Sequence, residues 1–522
     1  MENVPAHAVR LLEEAQTGGV AEVLPRAEEL LRARTGELAD GPAAYHFVRA
    51  VCFAVLHRHR EGIAAGDLVV AAAEREGAAG WRSCGLSLRA ELRLRLGECE
   101  LGEYDVDAVL RDLAAAEAAL GDGEPDPVVA GNAYTGVALG YHQLRLYELA
   151  EPQYRRAYEV STAAPVDTGN PSMWLTNLAM LHLQWALELY QIGEQPDGDK
   201  HVAEAQRYAE RAVAEAAGPA ATGWRLRGLV YAASARAFGD DPAGAAADLA
   251  GHLAELAARE DVAELELSQP CLAVALHRSG RPDEAMAVLD EAIASVPEVE
   301  WLTLATAYRT RAVLLREQGS PGAAAGLAYG DRLAAALWRQ RQRTLQAATT
   351  MVSYETLRAE HERIARAAGT DPLTGVANRR GFDEFVDALV AQPAATAPAL
   401  AALVIDVDKL KLINDVSGHN AGDSALRAIA RAIADCLRDG DAVARLGGDE
   451  FAALLPGTDP AVAAGLAARM VDTVRAIPGC PATLSVGVAG GPAHLVRETL
   501  ERADRAMYVA KRAGGDRVAP AT

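Results

Sequence analysis

Up to about residue 330, apolar positions recur with helical spacing and β-branched runs are few, so this region is expected to be all-helical. Two windows carry a repeat. From Asn132, the positions Tyr134, Val137, Ala138, Tyr141, Ala150, Tyr154 and Ala157 follow the spacing of a helical hairpin that repeats about every 34 residues. A second window, from Glu266, sets Leu276, Ala285, Leu289, Ala292 and Pro297 on the same template, with Gly280-Arg281-Pro282 at the turn. Segments 174–215, 223–257 and 302–329 read as weaker copies. Small residues at these positions let the two helices of a hairpin approach, while aromatic ones fill the groove between hairpins.

The repeats resemble tetratricopeptide units. That resemblance implies an N-terminal all-α tetratricopeptide-like solenoid over 1–330, with an unidentified protein or small-molecule ligand on its concave face. The alternative is an irregular helical bundle without a ligand. Residues 331–368 hold no Pro or Gly and place Leu333, Leu337, Leu345, Ala348, Val352, Leu357 and Ile364 along an imperfect heptad. This connecting helix either pairs as a coiled coil that carries a signal between domains or packs on the last repeat as a cap. The run Trp338-Arg339-Gln340-Arg341-Gln342-Arg343 is expected to be a solvated helix face. Beyond Gly369 strands alternate with helices: strands at 400–407, 442–446, 451–455 and 483–489, and helices at 421–437, 461–477 and 498–513. Domain 369–522 is therefore expected to be an α/β sandwich.

A chain of 522 residues exceeds one hydrophobic core, in agreement with this multidomain division. Its net charge of −21 argues against a general nucleic-acid or anionic-membrane partner. No apolar run reaches the ~20 residues of a membrane span, and Met1-Glu2-Asn3-Val4 lacks the layout of a signal peptide, so a cytoplasmic protein is expected. The six cysteines are scattered without a C-x-x-C pair, which points to buried thiols rather than disulfides or zinc. Among 51 basic residues only Lys200, Lys409, Lys411 and Lys511 are lysines.

The chemistry concentrates in the last domain. A strand ending at Asp406 and a tight turn at Gly447-Gly448-Asp449-Glu450 can bring two carboxylates to one cluster of hard divalent cations, and the two glycines permit backbone geometry and close approach that a Cβ would block. The segment Arg445-Leu446-Gly447-Gly448-Asp449-Glu450-Phe451 resembles the signature of the GGDEF family of diguanylate cyclases. The match continues through Asp371-Pro372-Leu373-Thr374-Gly375, Asn378-Arg379, Ile405-Asp406-Val407-Asp408-Lys409-Leu410-Lys411, Ile413-Asn414-Asp415, Gly418-His419, Gly422-Asp423 and 503–511. The resemblance implies condensation of two GTP into cyclic di-GMP by a homodimer. It implies Mg²⁺ or Mn²⁺ on Asp406, Asp449 and the Val407 carbonyl, with Glu450 supporting the chemistry. Lys411 and Lys511 would hold phosphate, as compact point charges in a chain that otherwise prefers Arg. Guanine would be read by Asn414 and Asp423, since a carboxylate accepts from N1–H and the N2 amine; Asn414 could alternatively cap a helix.

Arg438 and Asp441 form an R-x-x-D that resembles the family's product-inhibition site, or else a surface ion pair at a helix end. Two departures stand out. Gly515 replaces an expected phosphate-binding Arg, for which Arg512 or Arg517 could substitute, and Leu410 replaces a phenylalanine. The competing expectation is a catalytically weak domain that binds GTP or cyclic di-GMP and signals through the repeats; a scaffold in which only the repeats matter is a third.

Overall fold

The structure, a computed structural model, describes residues 7–15, 20–32, 40–100, 105–122, 126–163, 171–217, 221–258, 263–296, 301–391, 398–438 and 440–521. The chain divides into two compact units, Met1–Ala359 and Glu360–Thr522, and the division falls inside one long helix, Pro321–Gly369.

Among its described residues the first unit has helices and no strands. Consecutive helices reverse direction through a three-residue turn built the same way several times. Pro127–Gln143 turns into Tyr147–Ala163, Ser172–Gln191 into Gln195–Glu215, Ala263–Arg278 into Pro282–Ser295, and Trp301–Glu317 into Pro321–Gly369. In each turn the middle residue is left-handed: Arg145, Gly193, Gly280 and Gly319, with φ of 61°, 85°, 77° and 86°. The next amide then bonds the carbonyl five residues back, as in Leu146 N–H to Tyr141 C=O and Arg281 N–H to Leu276 C=O. Glycine takes this conformation freely, whereas another residue loses about 1–2 kcal/mol. Arg145 is thus the strained member of this set, and His57 (φ 55°) holds the same place between Gly41–Val55 and His59–Glu76.

Of the packing positions in the first repeat window, Tyr134 is half-buried against the core and the rest lie within it. Val137, Ala138, Tyr141, Ala150, Tyr154 and Ala157 are all buried, as are Leu276, Ala285, Leu289 and Ala292 of the second; Pro297 lies outside the described residues. The connecting helix starts earlier than expected, at Pro321, and continues through Gly322, Gly326 and Gly330. Ala348 of this helix is buried in the repeat core, with Leu345, Met351 and Val352 packed against it. The solvated face expected at 338–343 is overturned at Arg341, which is 4% exposed. Leu333, Leu337, Tyr354, Leu357 and Ile364 remain exposed on the same helix.

The second unit is a five-stranded sheet of order β2-β3-β1-β4-β5: β1 (Ala399–Asp408), β2 (Ala442–Gly447), β3 (Glu450–Pro456), β4 (Thr483–Pro492) and β5 (Arg517–Pro520). β1 is central and antiparallel to both neighbours, and β4 pairs with β5 in parallel. The period of two in β1 decides the layers. Ala401, Leu403, Ile405 and Val407 share a core with helices His419–Ala434 and Pro460–Arg475, while Leu400, Ala402 and Val404 share one with Arg379–Val390 and Val496–Arg512. Gly487 permits the last of these helices to lie directly on β4, since a Cβ there would stand 2.0 Å from the Ala503 carbonyl oxygen. Helices Arg379–Val390 and Leu410–Ser417 and strand β5 are additions to the elements expected from sequence. Of the cysteines, Cys52, Cys84 and Cys271 are buried, but Cys436 and Cys480 are only half-buried, which corrects the expectation of uniformly buried thiols.

Candidate active site

The end of β1 and the tip of the β2–β3 turn meet because β1 and β3 are paired in a register that sets Asp406 opposite Glu450. One further bond extends the pairing, as the Val407 N–H donates to the Asp449 carbonyl at 2.9 Å. Gly447 and Gly448, at φ of 155° and 52°, make the turn. Its backbone is clamped by Arg445, whose Nε and Nη2 donate to the Gly448 carbonyl at 3.0 and 2.8 Å. The same guanidinium reaches Asp371 at 3.3 Å, and Asp371 also accepts from the Thr374 amide and hydroxyl. The Asp371-Pro372-Leu373-Thr374-Gly375 segment therefore braces the turn. Arg445 and Asp371 lie in two of the family-like motifs, but their meeting across 74 residues has no local signal in the sequence.

Asp406 is 3% exposed, and its Oδ1 is buried without a hydrogen-bond partner. Its Oδ2 pairs with Lys511 Nζ at 2.5 Å. Burial pushes the Asp406 carboxyl above its ordinary range, Lys511 opposes that shift, and Asp449 and Asp408 reinforce it. Burial alone would lower the Lys511 ammonium, but its bond to Asp406 and the charges of Asp406, Asp449 and Asp408 raise it. A buried carboxylate oxygen lacking a protein donor, beside a second carboxylate on a turn, fits a hard divalent cation that takes oxygen ligands. The third carboxylate is already satisfied by protein donors. Asp408 accepts from the Thr483 and Ser485 hydroxyls at 2.9 and 2.8 Å and from the Asp516 amide at 2.9 Å, which ties β1 to β4 and to the turn before β5.

Asn414 lies in helix Leu410–Ser417 and packs on Gly422, where a Cβ would come within 2.0 Å of its Oδ1. Asp423 follows Gly422 directly in helix His419–Ala434. Asn414 is not an N-cap residue: the N-cap positions of these two helices are Lys409 and Gly418. Lys411 is exposed in the first of these helices, and Glu450 is exposed at the start of β3.

Arg438 and Asp441 are hydrogen-bonded to one another. The Arg438 Nε donates to Asp441 at 3.4 Å, and its Nη2 donates to the Pro456 carbonyl at 2.8 Å and the Thr458 hydroxyl at 3.1 Å. Of the two candidates to replace the missing arginine, Arg517 turns its Nε onto the Gly515 carbonyl at 3.0 Å, and Arg512 lies over the Tyr508 ring at 5.4 Å.

Residues 368–517 match the family model described as diguanylate cyclase, GGDEF domain. This part of the chain is a GGDEF domain. Among curated relatives, the chain is 40% identical over 161 residues to diguanylate cyclase DgcM of Escherichia coli (strain K12), covering 30% of this chain and 39% of DgcM. It is 40% identical over 156 residues to diguanylate cyclase DgcP of Pseudomonas aeruginosa, covering 28% of this chain and 23% of DgcP. The chain thus spans less than half the length of these relatives. Among solved structures it is similar to the coiled coil and GGDEF domain of DgcB from Caulobacter crescentus in complex with c-di-GMP, with 32% identity, a TM-score of 0.31, and coverage of 34% of this chain and 97% of that one. No helix among the described residues is long and apolar enough to cross a membrane.

Proposed function

We propose that the chain is a diguanylate cyclase that joins two GTP molecules into cyclic di-GMP and releases two pyrophosphates. The observation that carries this reading is the bond from Val407 N–H to the Asp449 carbonyl, which holds the turn's carboxylate beside the buried, half-unpartnered Asp406. Asp406, Asp449 and the Val407 carbonyl would hold Mg²⁺ or Mn²⁺, which when bound supplies a Lewis acid for the triphosphate and lowers the pKa of a coordinated hydroxyl. Glu450 adds negative charge at the same edge. Lys411 and Lys511 would meet phosphate, and Asn414 with Asp423 would accept from guanine's N1–H and N2 amine, a pattern adenine does not offer. Each domain has one such set of groups, while the product joins two nucleotides symmetrically, so catalysis calls for two copies facing one another about a twofold axis.

In this reading the chain would have three parts: tetratricopeptide-like repeats over 1–330 that bind a protein or small ligand, a connecting helix over 331–368, and the cyclase over 369–522. Tyr354, Leu357 and Ile364 are exposed at spacings of three and seven, which suits a seam between two copies of that helix. Product would bind at Arg438 and Asp441 and restrain turnover.

Incubating the purified chain with Mg²⁺ and GTP and assaying for cyclic di-GMP tests the proposal directly. Nucleotide binding without product would favour the competing reading, for which the absence of a guanidinium at Gly515 is the specific support.

A further inference from the structure

The strained turn at Arg145 and the buried Arg341 form one device. Arg341 sits on helix Pro321–Gly369 and donates its Nε to the Arg145 carbonyl at 2.6 Å. Its two terminal nitrogens engage both oxygens of Glu148, one at 3.1 Å. The guanidinium lies 5.1 Å from the Tyr147 ring centroid and 4.4 Å from that of Trp338. A fork-on-carboxylate pair, a carbonyl acceptor and aromatic faces make up the recognition chemistry for a guanidinium, and an ammonium cannot satisfy all of it.

The socket is itself held rigid. The Tyr147 hydroxyl donates to Glu188 at 2.6 Å, Arg145 pairs with both oxygens of the same carboxylate, and the Arg145 guanidinium stacks 4.5 Å from the Trp301 ring centroid. Glu188 is 3% exposed. Three equivalent turns use glycine at the left-handed position, whereas this one keeps an arginine and the turn at His57 a histidine. The strain is retained where the side chain fixes Glu188 and the carbonyl is presented to Arg341, a juxtaposition expected of a functional contact rather than a plain turn.

We propose that residues 145–148 form a guanidinium socket, filled in cis by Arg341 to seat the connecting helix on the repeats, and able to take an arginine side chain of a protein partner in its place. Seating and partner binding are then mutually exclusive, so a partner's arginine releases the helix. The proposal concerns the repeat unit alone and stands or falls independently of cyclase activity.

The test uses the full chain with Arg341→Ala, Arg341→Lys and Glu148→Gln. Hydrogen exchange over residues 338–352 is expected to rise about tenfold or more in Arg341→Ala and Glu148→Gln, with Arg341→Lys failing to restore protection. N-acetylarginine amide should bind Arg341→Ala in calorimetry at millimolar concentration, whereas N-acetyllysine amide should not, and neither should bind the variant that also carries Glu148→Gln. Unchanged exchange in Arg341→Ala would show that the helix is seated by its apolar stripe alone and overturn the latch. Equal binding of the two amides, or of neither, would overturn the socket.

Discussion

Gly515 stands directly against Asp408. A Cβ at Gly515 would lie 2.9–3.0 Å from the Asp408 carboxylate, and the glycine's φ is 72°. Because Asp408 also anchors Thr483, Ser485 and the Asp516 amide, the turn cannot shift without loosening the end of β1. Restoring an arginine by Gly515→Arg is therefore expected to leave the Michaelis constant for GTP no lower and to cost about 1–2 kcal/mol of stability through backbone strain alone. Thermal unfolding and steady-state kinetics read both effects; a tighter-binding variant of undiminished stability would contradict this account.

Asp449 contributes to the fold through its backbone carbonyl, not its side chain. Asp449→Ala is expected to cut product formation about a thousandfold or more while leaving circular dichroism and the melting temperature near wild type. Asp406→Ala should be as inactive, since it removes the other half of the pair. Appreciable turnover by Asp449→Ala would remove that carboxylate from the chemistry.

Asn414 depends on the missing side chain of Gly422. In Gly422→Ala the new methyl must displace Asn414, so the preference for GTP over ATP is expected to fall about tenfold. Asp423→Ala should weaken the same preference. Competition assays with the two nucleotides measure it, and an unaltered ratio in both variants would take base recognition away from this pair of helices.

Arg438 is exposed and held by the Pro456 carbonyl and Thr458 hydroxyl. Arg438→Ala is expected to relieve inhibition by cyclic di-GMP, with the initial rate at low product unchanged and stability altered by less than about 1 kcal/mol. Full inhibition persisting in the variant would make Arg438 and Asp441 a surface pair only.

Acid should unfold the repeat unit before the GGDEF domain. Burial lowers His142 to about 4; burial with the neighbouring His201 lowers His182 to about 3; burial with Arg49 and Arg75 lowers His46 to about 4. The unfolded chain takes up these protons near pH 6.5 and the folded one does not, so the stability they contribute is present above that pH and is lost as pH falls toward 4, by about 1.4 kcal/mol for each unit at the buried His142 and His182 and by less at the half-buried, solvent-screened His46. All six tryptophans lie between residues 81 and 338, so their fluorescence reports this unit alone. A tryptophan-detected melting temperature that stays level from pH 7.5 to pH 5 would contradict the burial of these rings.

The sequence alone determined what short-range pattern can carry. Helical periodicity marked the repeats and their packing positions, alternation and turn residues marked four strands, and contiguous motifs named Asp406, Asn414, Asp423, Asp449 and Lys511. Strand β5, only four residues long, had no periodicity to reveal it, whereas the helix at 379–390 did carry a local signal, the capping Asn378 ahead of Phe382, Val386 and Leu389. Tertiary structure decided the relationships between distant residues. That Arg445 braces its turn on Asp371, that Asp408 is tied to β4 and to the turn before β5, and that Arg341 lies buried in a run of residues suited to water all depend on partners 74, 75 and 196 positions away. A charged side chain reads as solvated until the partner that satisfies it is known, because its burial is tolerable only when each of its donors meets an acceptor, and that match is made by the folded backbone rather than by neighbours in the chain.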